Sequence, residues 1–147
     1  MIQLPPEFKK LLKSLNSNSA EYLVIGGYAV IFHGYVRTTG DLDVWIRRTP
    51  ENARRAVEAI QGIGYNPRGL KPELLLHPGG VLRIGIEPFR FDIVNQIDGV
   101  EFDECYQRRV QSTIEGIEIN WISLADLKIN KGATGRNKDR ADLDYLP

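Results

Sequence analysis

The segment Asp41-Leu42-Asp43-Val44-Trp45-Ile46 constrains this chain more than any other. Its aliphatic residues recur every second position, and successive side chains of a strand point to opposite faces. Leu42, Val44 and Ile46 therefore pack on one side of a sheet, while Asp41, Asp43 and Trp45 occupy the other. Just upstream, Tyr22 to Ile25 is a short apolar run of the kind buried strands show. Gly26-Gly27 follows it and turns the chain into a helix from Tyr28 to about His33. A sheet that carries paired carboxylates beside a diglycine bend is thus the first expectation.

The rest of the pattern surrounds that sheet with helices. Pro5-Pro6 opens a helix through about Leu15, with Phe8, Leu11, Leu12 and Leu15 at helical spacing. The Asn/Ser cluster from Asn16 to Ser19 ends it. Pro50 starts a helix to about Gly62 with the stripe Ala53, Ala56, Val57 and Ile60, closed by Gly64. A short helix at Glu73 to Leu76 interrupts the loop from Pro67 to Gly80. Val81 to Ile86 and Phe89 to Val94 form a strand pair joined at Glu87-Pro88. Val110 to Ile114 and Ile117 to Ile122 form a hairpin turning at Glu115-Gly116. Ser123 caps a helix from Leu124 to about Gly132, and Asn137 caps a last one ending near Leu146. This order predicts an α/β (α+β) fold, one mixed β-sheet flanked by helices. With no linker visible, residues 1–147 read as a single domain.

Composition narrows the function classes. Hydrophobic residues are 42% and charged residues 26%, an ordinary globular balance. Lys plus Arg and Asp plus Glu are 19 each, so bulk charge names no partner and any anion binding rests on local charge. Cys105 is the only cysteine, and His33 and His77 lie far apart, which excludes a disulfide framework and a zinc-like ligand spacing. The longest apolar stretch, Tyr22 to Phe32, is broken by glycine and too short to span a bilayer. With no signal-peptide order at the N-terminus, the expected setting is cytoplasmic.

Three features carry chemistry. Asp41 and Asp43 share a strand face, where each raises the other's cost of ionising. A hard cation such as Mg²⁺ relieves that repulsion and is commonly shared with substrate phosphates; Asp-x-Asp near glycine also occurs in plain turns. Gly26 and Gly27, at a strand end that opens a helix, let backbone N–H groups approach phosphate oxygens, or serve simply as a tight turn. Asp92 sits mid-strand, sharing a face with Arg90 and Val94 while Phe89, Phe91 and Ile93 take the other. It is compensated either by a shared metal or by a salt bridge with Arg90 or Arg83.

In combination these features resemble the nucleotidyltransferase superfamily that includes DNA polymerase β. Its first motif, an apolar residue and Gly-Gly or Gly-Ser followed after a spacer by Asp-apolar-Asp/Glu-apolar, is matched by Ile25-Gly26-Gly27 and Asp41-Leu42-Asp43-Val44. The stretch GGYAVIFHGYVRTTGDLDVWI looks like the signature of the small bacterial AbiEii-type branch, through Gly26, Gly27, Ala29, Arg37, Thr39, Asp41 and Asp43. The closing segment is similar to the same families at Asp126-Leu127, Lys131, Arg136, Lys138-Asp139 and Asp142-Leu143. The stretch from Gly64 to Gly80 carries no resemblance.

The resemblance implies metal-dependent transfer of a nucleoside monophosphate from a nucleoside triphosphate to an acceptor. Asp41 and Asp43 would hold Mg²⁺ or Mn²⁺, and Asp92 would hold metal or act as base. Gly26 and Gly27 would cradle the triphosphate, with Arg37, Thr39, Lys131 and Arg136 around it. Arg37 binds phosphate or braces Asp41 or Asp43; Thr39 shapes the approach to the strand. Five basic residues lie between Lys128 and Arg140, a patch suited to triphosphate or to RNA phosphates, or else a solvated helix face. Lys138 and Arg140 are left to solvent, as are Asp139 and Asp142. His33, Tyr28 and Trp45 read as packing residues. Acceptors served by this fold include RNA (transfer RNA among them), proteins and small molecules. A toxin–antitoxin setting, with a cognate antitoxin, a helical partner or a second copy of the chain, goes with the AbiEii-type branch. The principal alternative is a catalytically weak module that binds nucleotide or a partner. A metal-dependent nuclease is disfavoured, because the one Glu-x-Lys, Glu7-Phe8-Lys9, precedes the acid pair and lies in a predicted helix.

Overall fold

The computed structural model describes residues 2–147. A six-stranded sheet forms its centre: β1 (Tyr22–Ile25), β2 (Leu42–Ile46), β3 (Val81–Ile86), β4 (Phe89–Val94), β5 (Val110–Ile114) and β6 (Ile117–Trp121). The strands lie in the order β3-β4-β2-β1-β6-β5. Pairings β1–β2, β3–β4 and β5–β6 are antiparallel, whereas β2–β4 and β1–β6 are parallel. The mixed α+β sheet expected from the sequence is therefore present. The β5–β6 turn falls at Glu115-Gly116, both with positive φ (51° and 81°), the geometry that matches strand twist in a two-residue hairpin.

One sheet face is closed by α1 (Pro6–Ser17) and α3 (Pro50–Gly62), which pack on each other. Phe8, Leu11, Leu12 and Leu15 of α1 are fully buried, as are Leu42, Val44 and Ile46 of β2 and Phe91 of β4. Ser14 Oγ on α1 donates to the Ala59 carbonyl of α3 at 2.8 Å. Thr49 caps α3 through Oγ1, which accepts from the Asn52 N–H. Asn52 in turn ties β1 to the end of β2: its Oδ1 accepts from the Glu21 N–H and its Nδ2 donates to the Glu21 and Arg47 carbonyls.

The other elements crowd the carboxylate-bearing face. Helix α2 spans Gly26–Phe32, so Gly26 already belongs to it, two residues earlier than the sequence pattern indicates. Helix α4 (Phe102–Gln107) was not foreseen; it is six residues long and lacks a side-chain cap. Its Phe102 packs edge-on against Trp45 (centroids 5.1 Å apart), and Trp45 is buried although it shares a face with Asp43. Ser123 caps α5 (Leu124–Thr134) as expected, by accepting from the Asp126 N–H. Helix α6 (Asn137–Tyr145) starts at Asn137, with Arg136 before it and no side-chain cap; Asn137 is its first residue and not its cap. A short 3₁₀ helix at Pro72–Leu75 precedes the loop that leads into β3. Tyr28 packs edge-on against Phe8 at 5.5 Å. Among the described residues no helix is long and apolar enough to cross a membrane.

The α1 face carries much of the core. Leu12→Ala should lower the unfolding free energy by about 2–5 kcal/mol, whereas Lys13→Ala on the exposed side should change it by less than about 0.5 kcal/mol. Urea denaturation of both variants measures the difference.

Candidate active site

The parallel register of β2 and β4 sets Asp43 opposite Asp92. On the other side of β2, the antiparallel register sets Asp43 opposite Ile25, the residue before Gly26. Asp41 sits in the bend that leads into β2. The diglycine and all three acids therefore reach one cleft of about 700 Å³. Thr39, Lys131 and Arg136 line it as well.

The glycines are explained by what they touch. Gly26 has φ of +66°, and a Cβ there would lie 2.2 Å from Oδ2 of Asp43. A Cβ on Gly27 would lie 2.1 Å from Oγ1 of Thr39 and 3.4 Å from Nη1 of Arg37. Each glycine thus makes room for a side chain that the sequence places more than ten residues away.

Charge is unevenly compensated in the cleft. Burial, followed by the neighbouring Asp92 and Asp41 carboxylates, pushes Asp43 up to about 6, against the opposing pull of Lys138 and Lys131. Asp92 is held by Arg83, through Nε at 2.9 Å and Nη2 at 3.4 Å. Asp41 is held by Arg90, whose Nη2 lies 3.1 Å from Asp41 Oδ2 and 2.9 Å from Glu87 Oε1. Arg83, not Arg90, is thus the partner of Asp92, and Arg90 goes to Asp41. No three acidic, histidine or cysteine side chains converge at metal-holding distance among the described residues. The donor set still suits a hard divalent cation: all donors are carboxylate oxygens, two of them already carry cationic guanidiniums, and the third is short of positive charge.

The basic segment at the C-terminus is built as a buried ion network. Lys131 Nζ lies 2.7 Å from Asp139 and 3.1 Å from Asp142, with its side chain 5% exposed. Asp139 also accepts from Thr134 Oγ1 and Arg136 Nε, at 2.5 and 2.7 Å. Asp142 receives the Arg37 fork at 2.8 and 3.1 Å. Arg37 therefore braces Asp142 and does not reach Asp41 or Asp43. Asp139 and Asp142 are buried, which corrects their expected place in solvent. Burial pushes Asp139 up, but hydrogen bonds from Lys131, Thr134 and Arg136 outweigh it and hold the carboxyl at about 2.

Sequence reasoning also missed residues that line the cleft. Lys138, assigned to solvent, faces it and makes no salt bridge among the described residues. Its signal was present but faint: it lies in the first turn of α6, next to an aspartate that the fold buries. Gln96 and Asp98 arrive from the loop after β4, which Asn130 anchors by donating to the Asp98 carbonyl at 2.9 Å. No local motif marks that loop.

Two consequences are measurable. Asp43 has a folded-state value near 6 against an ordinary 3.8, so its stabilising protonated form is lost as pH rises through about 6. In chelator, Asp43→Asn should match the parent protein near about pH 4 and exceed its stability near about pH 7.5 by at most about 3 kcal/mol. Thermal melts at both pH values test this; an equal gain at both would contradict it. Asp139→Ala strips the buried Lys131 of its nearer partner and should cost about 3 kcal/mol or more, read by denaturant titration.

Comparison with known proteins agrees with this geometry. A profile of the family described as "Nucleotidyltransferase of unknown function (DUF6036)" matches residues 1–145. No protein with a curated description matches the chain. A Thermotoga maritima protein assigned as a nucleotidyltransferase superposes with TM-score 0.63 at 13% identity, covering 97% of this chain and 93% of that one. The lincosamide antibiotic adenylyltransferase LnuA, solved with lincomycin bound, gives TM-score 0.63 at 15% identity, covering 97% of this chain and 96% of that one. At such identities the likeness shows a shared fold, and the match along residues 1–145 shows the family: the chain belongs to the DUF6036 nucleotidyltransferases.

Proposed function

We propose that this chain, acting as one domain in the cytoplasm, is a metal-dependent enzyme that moves a nucleoside monophosphate from a nucleoside triphosphate to an RNA, protein or small-molecule acceptor. The observation that carries this reading is the β2–β4 register, which sets Asp43 against Asp92 beside Gly26. Asp41 and Asp43 hold Mg²⁺ or Mn²⁺, and Asp92 holds metal or serves as base. The bound cation supplies neutralisation of the triphosphate charge. The acceptor oxygen bonds to the α-phosphorus, the bond from that phosphorus to the bridging oxygen breaks, and pyrophosphate leaves. Asp92, in the base role, takes the acceptor's proton. Gly26 and Gly27 leave space for phosphate oxygens, and Lys138 supplies a cation not already spent on a carboxylate. Arg136 lines the cleft with its side chain 68% exposed and can reach phosphate while remaining near Asp139. Lys131, Arg37 and Thr39 support the site through the ion network and the contact with Gly27.

The run from Gly26 to Asp43 supports a place near the AbiEii-type branch, and with it a toxin–antitoxin role beside a cognate antitoxin, a helical partner or a second copy. A second reading, a module that binds nucleotide or a partner with little catalysis, is favoured by one observation: Asp41 and Asp92 already have arginine partners.

Incubation with Mn²⁺ and α-labelled nucleoside triphosphates against a panel of RNA, proteins and small hydroxylated acceptors separates the two. Label should appear on an acceptor with release of pyrophosphate, and Asp41→Asn combined with Asp43→Asn should reduce it at least about a hundredfold. Undiminished labelling by that variant would remove the catalytic assignment, and nucleotide affinity without pyrophosphate release would favour the binding module.

A further inference from the structure

Three of the cations paired with aspartates in and beside the cleft, Lys131, Arg83 and Arg90, fall into two groups by burial. Lys131 is almost wholly buried between two carboxylates, so pulling it away would strand charge inside the protein. Arg83 and Arg90 differ. Arg83 is 59% exposed and touches Asp92 from the solvent side of β3, an edge strand of the sheet. Arg90 is 29% exposed and bridges Asp41 to Glu87, whose own side chain is 61% exposed. Both pairs keep some access to water, Arg83 far more than Arg90, so each costs less to open than the closed Lys131 network. Arg83 can return to water, and Arg90 can keep Glu87 after releasing Asp41.

Resting on the metal-dependent reading above, we propose that Arg83 and Arg90 are placeholder cations, holding Asp92 and Asp41 in the metal-free protein and yielding them when a divalent cation binds. The two guanidiniums thereby set the metal affinity of the site. They keep carboxylates that share one cleft tolerable without a metal, and the same pairing weakens metal binding by the free energy needed to break it. Asp43, which neither arginine reaches, is the carboxylate open to the first cation contact. The two-residue spacing of Arg90 and Asp92 along β4, and the cross-strand pairing of Arg83 with Asp92, put both arginines on the acids' side of the sheet.

The test is Mn²⁺ binding to the full chain without nucleotide, followed by calorimetry and by the Mn²⁺ paramagnetic resonance signal. Arg83→Gln and Arg90→Gln should each tighten binding about three- to tenfold, and should lower the melting temperature in chelator with recovery on adding Mn²⁺. Arg83→Lys and Arg90→Lys retain the charge but lose the guanidinium fork, and should tighten binding by a smaller factor. Tightening in the glutamine variants with no change in the lysine variants would mean long-range charge and not occupancy, and would overturn the proposal. Binding that Asp43→Asn abolishes but that is indifferent to Arg83 and Arg90 would overturn it while sparing the reading of the site. Absence of Mn²⁺ binding from the parent and every variant would overturn both.

Discussion

The pairing of β2 with β4 in parallel register is the constraint from which the remaining geometry follows. It joins two strands separated by α3, the 3₁₀ segment and β3, and sets residue against residue: Leu42 by Phe91, Asp43 by Asp92, Val44 by Ile93. Because side chains alternate, one register serves two purposes. The aliphatic members meet under α1 and α3, and the acidic members meet on the opposite face. A slip of one residue would bury carboxylates in the core and expose Leu42 and Phe91. The apolar packing therefore enforces the charge crowding at Asp43, and folding energy holds together a site that electrostatics alone would push apart.

The charges around that site are graded by burial. At the α5–α6 junction Lys131, Asp139, Asp142 and Arg37 form a network closed to water, with every carboxylate answered by more than one donor. Such a network fixes where the helices lie, and so where Lys138 and Arg136 emerge. On the β3–β4 side, Arg83 and Arg90 form pairs that are only partly covered, with Arg83 the more exposed of the two. The acids thus lie between a buried ion network and partly exposed pairs, and Asp43 has no ion-pair partner among the described residues.

Much of the fold could be read from local pattern. The α1 stripe, the alternation in β2, the Glu115-Gly116 turn and the Ser123 cap all depend on neighbours within a turn or a hairpin, where sequence spacing maps directly onto space. What escaped has a common cause. Helix α4 is too short for a period to register, and its anchor, Phe102, is defined by contact with the distant Trp45. The start of α2 was placed late because glycine discourages helix in general, whereas Gly26 is required at that spot by Asp43's carboxylate. Asp139 and Asp142 looked like solvent charges because burial of an ion depends on its partners, and Arg37 lies about a hundred residues away along the chain.

The sequence by itself determined the types of the longer elements, the face on which Asp41 and Asp43 lie, and the superfamily that their spacing with Gly26-Gly27 resembles. These are short-range properties, written in periods of two or 3.6 residues and in glycines at bends. Tertiary structure alone decided that Asp92 faces Asp43, that Arg37 serves Asp142, that Lys138 looks into the cleft, and that Arg83 and Arg90 rest on the acids. Those outcomes turn on strand register and on which ion pairs water can reach. Both are set by how the whole sheet packs, and no stretch of neighbouring residues contains that information.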